Sequence, residues 1–323
     1  MLHSLLKYRS LWSSKYLGVV LSVRHYSNLK KSSNAVELLE SWRQKFTELQ
    51  IPEVKSSLDN ILGCVLKRRK VYGLSERRDL ILTQEEVNEF NRLCHCREAR
   101  MPIQYIVGEW EFRDLHLKMQ PPVFIPRPET EGLVELILKK NKSTEFVRFL
   151  EIGCGSGAVS LALLSALPNA KCKAVDQSSM ACFLTLKNAI SLKLSDRISV
   201  SQHKVTDEIK DEDFCEKFDF IVSNPPYVPT RDLLKIDPEI RLYEDLRALD
   251  GGEDGLNVIK SILRVASKFL KDNGTIWLEV DSSHPQVIEE YLNIHHKTLQ
   301  LKFLSSHRDI FDKERFIEIR RDL

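Results

Sequence analysis

The sequence predicts an α/β fold of the nucleotide-binding kind, preceded by a small helical domain. Three observations carry that reading. A short β-type run, Val147 to Leu150, leads through Glu151-Ile152-Gly153-Cys154-Gly155-Ser156-Gly157 into a helical stretch, Ala158 to Leu167. A second apolar run, Cys172 to Val175, ends in Asp176. A third, Phe218 to Val222, is followed by Asn224-Pro225-Pro226-Tyr227. Strand, glycine loop and helix form the opening unit of doubly wound domains, which bind ligands outside the carboxyl ends of their strands.

The glycine loop reads Gly-x-Gly-x-Gly, which is neither the dinucleotide fingerprint nor a Walker loop. Its glycines permit positive φ and let backbone come close to a ligand. An acidic residue at its start suits a cationic ligand better than a pyrophosphate, and the sulfonium and amino group of S-adenosylmethionine fit that description. Glu151, Gly153, Cys154, Gly155, Ser156 and Gly157 are therefore candidate cofactor contacts, a bare tight turn being the alternative. Asp176 follows the loop by about twenty residues, where such folds bind ribose hydroxyls; a strand-end Asp also serves as a simple helix cap.

The tetrapeptide is the most specific of the three. Neither proline can donate to a ladder, so the strand stops and a stiff, extended backbone follows. Asn224 then offers a side-chain carbonyl beside the backbone carbonyl of Pro225. Two acceptors held side by side suit a planar NH2 group, and Tyr227 adds an aromatic face. Asn224, Pro225 and Tyr227 are the candidate catalytic residues. Asn224, Pro225, Pro226, Tyr227 and Arg127 are the candidate substrate contacts, with Asn224 also bordering the cofactor.

Upstream, Val36-Leu38-Leu39-Trp42-Phe46-Leu49 falls near a 3.6 period and predicts an amphipathic helix, as does Ser56 to Lys67. Ser75 to Asp79 reads as a connector. Thr83 caps a third helix through Arg97, with Glu86 at the capping-box position. The alternating stretch Ile103 to Lys118 reads as a β-hairpin joining the domains. Downstream, Gly255 to Leu270 and Pro285 to Leu292 read as helices, and Thr275 to Val280, Leu299 to Leu304 and Phe316 to Arg320 as strands.

Composition bounds the rest. A chain of 323 residues with formal net charge +2 has room for two domains and gives no electrostatic argument for direct nucleic-acid binding. No apolar run approaches a membrane span. Seven cysteines without Cys-x-x-Cys pairing fit thiols in a reducing compartment, and Cys94-His95-Cys96 is too tight for a usual zinc site, so no metal is expected. No Asp or Glu precedes Glu37, while Lys7, Arg9, Lys15, Arg24, Lys30 and Lys31 are basic. That composition predicts a mitochondrial transit peptide over residues 1–33, with a secretory signal as runner-up because Tyr16 to Val23 is apolar.

Five motifs in order resemble the HemK/PrmC protein-glutamine methyltransferases, which methylate peptide-chain release factors. They are Met101 to Gly108, Phe124-Ile125-Pro126-Arg127-Pro128-Glu129-Thr130-Glu131, the glycine loop with Asp176, the Asn224 tetrapeptide, and Ala248 to Leu256. The resemblance spans roughly Arg100 to Val280. It implies a class I S-adenosylmethionine-dependent methyltransferase fold (Rossmann-like, seven strands, the last antiparallel) over residues 126–323. From the residues themselves, the helices of 34–100, with the charge arrays Lys67-Arg68-Arg69-Lys70 and Arg77-Arg78, read either as a substrate-docking domain or as plain solvated faces, and 101–125 as a β-hairpin linker. The implied substrate is the glutamine of the Gly-Gly-Gln motif in a mitochondrial class I release factor, in the matrix. The chain departs from the family at Lys204 and Val205, where an acidic-aromatic pair is usual, at Asp245, and at Asp281. Arg127 and Glu129 would either shape the pocket rim or brace the domain junction. Two other functions fit parts of the pattern: methylation of an adenine exocyclic amine on DNA or RNA, and a non-catalytic binding protein that keeps the fold.

Overall fold

The computed structural model describes residues 35–68, 71–141, 144–206 and 217–322. The proposed targeting segment and Cys215 lie outside them. The chain divides into two compact units, Met1–Arg92 and Leu93–Leu323, so the division falls earlier than the boundary after Arg100 read from the sequence.

In the first unit, helix α1 (Ala35–Glu48) buries Leu39, Trp42 and Phe46, and α2 (Val54–Val65) buries Leu58, Ile61 and Leu62. Both sets recur every three or four residues, as one helix face requires. Asp59 is buried and accepts from the backbone N–H groups of Gly73 (2.9 Å) and Ser75 (2.6 Å), pinning the segment that follows α2. Helix α3 (Gln84–Glu98) begins with the expected capping box: Thr83 N–H donates to Glu86 Oε2 at 2.7 Å, and Glu86 N–H donates to Thr83 Oγ1 at 3.2 Å. Trp42 Nε1 donates to Asn91 Oδ1 at 2.7 Å.

The second unit corrects one expectation. Ile103 to Lys118 is only half hairpin: a short helix α4 (Ile103–Val107) precedes strands β1 (Glu109–Phe112) and β2 (Leu115–Lys118). The apolar residues Ile103 and Tyr105 are buried from a helical turn that starts after Pro102 and ends at Gly108 with φ 75°. Two buried residues spaced i, i+2 do not separate a strand from a single turn. The hairpin also does not behave as a bare linker, because Phe112, Leu115 and Leu117 enter the main core of this unit with Ile125 and Phe149. The Tyr105 hydroxyl donates to Val123 O at 2.6 Å.

The remaining elements are α5 (Thr130–Lys140), β3 (Arg148–Ile152), α6 (Ala158–Ala166), β4 (Lys171–Asp176), α7 (Ser179–Ser191), β5 (Ile198–Gln202), β6 (Phe218–Ser223), β7 (Val228–Pro229), α8 (Pro238–Tyr243), β8 (Asp250–Gly252), α9 (Asn257–Phe269), β9 (Leu270–Glu279), α10 (His284–Leu299), β10 (Leu301–Arg308) and β11 (Glu314–Arg321). One sheet holds seven strands in the order β10-β11-β9-β6-β3-β4-β5. β3 pairs in parallel with β4 and β6, β4 with β5, and β6 with β9; β11 is antiparallel to both β9 and β10. This is the class I methyltransferase sheet.

Alternation along the central strands builds a core on each face. Phe149 and Phe220 belong to the cluster with α5 and α6 residues, and Leu150 and Ile221 to the cluster with α9 and α10 residues. Phe149 lies opposite Phe220 in the ladder, and their rings stack with centroids 4.9 Å apart. Removing a fully buried ring costs its transfer free energy and leaves a cavity. Phe220→Ala is expected to destabilise the protein by about 3–5 kcal/mol, read as a lower urea midpoint by circular dichroism.

Candidate active site

The site begins with register. Ile152, at the end of β3, is opposite Val175 on β4 and Ser223 on β6. The residues that follow those three, Gly153, Asp176 and Asn224, therefore leave the sheet side by side. The strand order runs away from β3 in both directions, and that switch point is where open α/β sheets bind ligands. A cavity opens there, lined by Ile152, Gly153, Gly155, Asp176, Asn224 and Pro226 from these strand ends, and by Val123, Phe124 and Ala181 on other segments.

The glycine loop divides its residues between two sides. Gly153 and Gly155 line the cavity, while Cys154 and Ser156 are buried away from it. Gly155 has φ 55°, and a Cβ there would meet nothing within 4 Å, so its backbone faces open space into which a ligand fits. Cys154 packs under the loop, with its sulfur 3.4 Å from Thr185 Oγ1; Cys182 and burial push its thiol well up. Ser156 O accepts from Asn188 Nδ2 at 2.9 Å, and Gly157 forms the start of α6 against Leu161 and Thr185.

Glu151 is not placed as expected. Its side chain is buried on β3, outside the cavity lining, and Oε2 has no hydrogen-bond partner among the described residues. Burial pushes its carboxyl up to about 8, against hydrogen bonding from Ser160. It is a neutral acid at neutral pH and does not supply the negative charge foreseen at the loop.

Asp176 does supply a carboxylate to the cavity. Its Oδ2 accepts from Gly155 N–H at 3.0 Å and its Oδ1 from Ser178 N–H at 2.8 Å. Burial raises its pKa while these two backbone donors oppose the rise. Each oxygen keeps lone-pair capacity for ligand hydroxyls. Apolar Val123, Ala181, Val205 and Val258 with the Phe124 ring provide a surface for a flat base. Lys204 and Val205, where the sequence departs from its family, both line the cavity, and Val205 also packs on the sheet core. The donor set fits S-adenosylmethionine: a carboxylate for the ribose, apolar walls for adenine, and Asn224 beyond.

The tetrapeptide is braced on three sides. β7 follows it and pairs in parallel with β8, with Val228 opposite Asp250. Below it Gly255, φ 77°, approaches so closely that a Cβ would stand 2.4 Å from the Tyr227 carbonyl oxygen. Tyr227 packs against the core, its hydroxyl accepting from Arg315 Nη1 at 3.4 Å, with the guanidinium carbon 5.8 Å from the ring centroid. Burial pushes its phenol up to about 12, so it stays neutral. Tyr227 and Pro225 do not line the cofactor cavity. Arg127 is also away from it: Nη2 reaches Glu244 Oε1 at 2.8 Å, and its guanidinium lies 4.7 Å over the Phe124 ring. Glu244 is buried and also accepts from Ile125 N–H at 3.2 Å. Arg127 thus ties the Phe124–Glu131 segment to the end of α8, within the second unit.

Two further residues reach Asn224. Its Nδ2 donates to Thr130 Oγ1 at 3.2 Å, and that hydroxyl donates to Glu279 Oε2 at 2.7 Å. Thr130 and Glu279 are both buried. The sequence placed Thr130 inside a quoted motif and Glu279 at a strand end, but no spacing rule joins residues 149 apart.

Comparisons with known proteins find similarity to release factor methyltransferases. The chain matches the family model of the methyltransferase small domain over residues 117–236 and that of the PrmC N-terminal domain over residues 37–108. It is 42% identical over 298 residues to the human MTRF1L release factor glutamine methyltransferase, covering 90% of this chain and 88% of that one. It is 38% identical over 253 residues to the release factor glutamine methyltransferase of Lactococcus lactis, covering 78% and 88%. The corresponding Streptococcus pneumoniae protein is 36% identical over 239 residues, covering 74% and 82%.

Two outcomes follow from the electrostatics. Asp176→Ala is expected to weaken S-adenosylmethionine binding by roughly 10- to 100-fold, the scale of a lost hydrogen bond to a charged group. Isothermal titration calorimetry reads it, and unchanged affinity would place the ribose elsewhere. Glu151 has its folded-state pKa raised from 4.5 to about 8. Its contribution to stability is fully present below the unfolded value and is lost as pH rises through about 8. Wild-type protein should therefore lose urea resistance between about pH 5 and about pH 9, and Glu151→Gln should flatten that slope.

Proposed function

The chain belongs to the release factor glutamine methyltransferase family, and from that premise we propose that it methylates the side-chain amide nitrogen of the Gly-Gly-Gln glutamine in a mitochondrial peptide-chain release factor. The observation that carries the reading is Asn224 at the end of β6, held beside the cavity lined by Gly153, Gly155 and Asp176. The basic, acid-free stretch before Glu37 supports import into the mitochondrial matrix.

S-adenosylmethionine, when bound, supplies an electrophilic methyl group on its sulfonium. Asp176 would hold the ribose, Gly153 and Gly155 would give the backbone approach, and the apolar walls would receive the base. The difficulty lies with the nucleophile, because an amide lone pair is delocalised into its carbonyl. Asn224 Oδ1 and the Pro225 carbonyl accept the two amide N–H groups and turn the nitrogen toward the methyl. Positive charge grows on that nitrogen during attack, so both hydrogen bonds strengthen in the transition state. Positioning of this kind lowers barriers by up to roughly 7–11 kcal/mol. The new bond to nitrogen forms as the methyl–sulfur bond breaks, and the extra proton leaves nitrogen for solvent afterwards, so no general base is required before transfer and Tyr227, neutral with a pKa near 12, is no candidate for one.

The same paired acceptors suit an adenine amine, but the named activities of the relatives favour the glutamine. The test offers labelled S-adenosylmethionine with a mitochondrial release factor or with adenine-containing RNA. Mass spectrometry should find one added methyl on the Gly-Gly-Gln glutamine; label on RNA alone would overturn the reading. Asn224→Ala is expected to keep cofactor affinity while turnover falls by about 100-fold or more. Normal turnover would remove Asn224 from its role.

A further inference from the structure

We infer that Thr130 and Glu279 are positioning residues that fix which end of the Asn224 carboxamide faces the substrate. The inference rests on the assignment of Asn224 to the glutamine amide.

A carboxamide is nearly symmetric in shape and opposite in chemistry at its two ends: Oδ1 accepts and Nδ2 donates. Only Oδ1 can receive a substrate N–H. If Nδ2 faced the substrate NH2, two donors would oppose each other and the reacting amide would lose a contact. Something must therefore hold the group one way round. The strand end alone does not, because a rotation about the last side-chain bond exchanges the two atoms within the same space.

The hydrogen-bond chain supplies the missing polarity. An ionised carboxylate only accepts. Thr130 Oγ1, 2.7 Å from Glu279 Oε2, must give its one hydrogen to that oxygen. Toward Asn224, 3.2 Å away, the hydroxyl is then an acceptor, and Nδ2 is the end that can meet it. Oδ1 is left for the substrate. All three groups come from different elements: Thr130 from the first turn of α5, Glu279 from the end of β9, Asn224 from the end of β6. β9 and β6 are neighbours in the sheet, so the relay spans adjacent strand ends.

A protonated Glu279 would release this constraint. Its own O–H could donate to Thr130, whose hydrogen would then turn toward Asn224 and draw Oδ1 to it. The charged and titratable groups facing Glu279 are Arg315 on β11, Glu129 before α5 and Tyr227 after β6; Asp281 interacts with Tyr227 and Arg315, and Asp309 pairs with Arg315. Burial pushes the carboxyl up to about 7, opposed by hydrogen bonding from Thr130, by Arg315 and by hydrogen bonding from Asn224 itself, and helped by Glu129. The relay thus loses its polarity on the acid side of neutrality. It does so without any group acting as a base.

The test measures kcat, KM and S-adenosylmethionine affinity between about pH 6 and about pH 9 for wild type, Thr130→Val, Thr130→Ser, Glu279→Gln and Asn224→Ala. Wild-type kcat should fall about tenfold per pH unit below an acid limb near 7. Thr130→Val should lower kcat by about 100-fold, with cofactor affinity little changed. Thr130→Ser, which keeps the hydroxyl, should recover most of that loss. Glu279→Gln should erase the acid limb, since its amide does not titrate. A purely structural pair would shift melting temperature but not remove a pH limb. If Thr130→Val does not fold, the pH profiles of Glu279→Gln and Thr130→Ser decide. If Asn224→Ala is inactive while Thr130→Val and Glu279→Gln match wild type at every pH, the relay is wrong and the Asn224 assignment stands. If Asn224→Ala is active, both fall.

Discussion

The parallel register of β3 with β4 and β6 sets the whole active site. It places Gly153, Asp176 and Asn224 at one edge of the sheet, although they are spread over more than seventy residues of sequence. A slip of one residue would turn every side chain of a strand to the opposite face. Several interactions oppose such a slip. Phe149 and Phe220 stack within the ladder, and the Ser223 hydroxyl donates to Ile152 O at 2.6 Å. Gly153 and Cys154 N–H both donate to Val175 O, at 2.8 and 3.1 Å. The first residues of the glycine loop are thus fixed by the neighbouring strand before any ligand arrives.

The tetrapeptide has a different support. Its prolines cannot join the sheet, so its position comes from elements that follow it in sequence. β8 pairs with β7, Gly255 lies beneath the Tyr227 carbonyl, and Arg315 reaches the Tyr227 hydroxyl from β11. Upstream, Thr130 and the Arg127–Glu244 pair complete the frame. Tyr227 serves this frame as a packed anchor, its ring in contact with Arg315 and the core. A rigid acceptor pair needs that many attachments because reacting atoms tolerate little misplacement.

Much of this was legible in the sequence because it depends on local pattern. The strand ends at Asp176 and Asn224, the helix that follows Gly157, and the Thr83–Glu86 capping box all follow from spacing and side-chain chemistry over a few residues. Reading failed where burial direction or long-range pairing decides. Alternation could not tell the single turn Ile103–Val107 from a strand. Glu151 looked like a ligand group because it opens the loop, yet the strand's own alternation points it into the interior. Thr130 and Glu279 meet only because α5 begins beside the end of β9. No local pattern encodes that meeting.

The two buried glutamates show how differently such groups can stand in one fold. A carboxyl taken from water without an ionic partner costs stability, and well-packed apolar replacements often relieve that cost. Glu151 avoids most of the penalty by holding its proton, with its carboxyl raised to about 8. Its hydrogen bonding is from Ser160, and the nearby Asp176 carboxylate raises it further. Glu279 is pushed up to about 7 by burial, with Thr130 and Asn224 donating hydrogen bonds and Arg315 adding positive charge against the rise. Each of those donors favours the ionised form, and one of them is the residue that faces the substrate. The groups that lower the cost of this buried charge are thus the same ones whose orientation the charge controls. An apolar side chain at 279 would fill the space as well and would leave the Asn224 carboxamide free to turn.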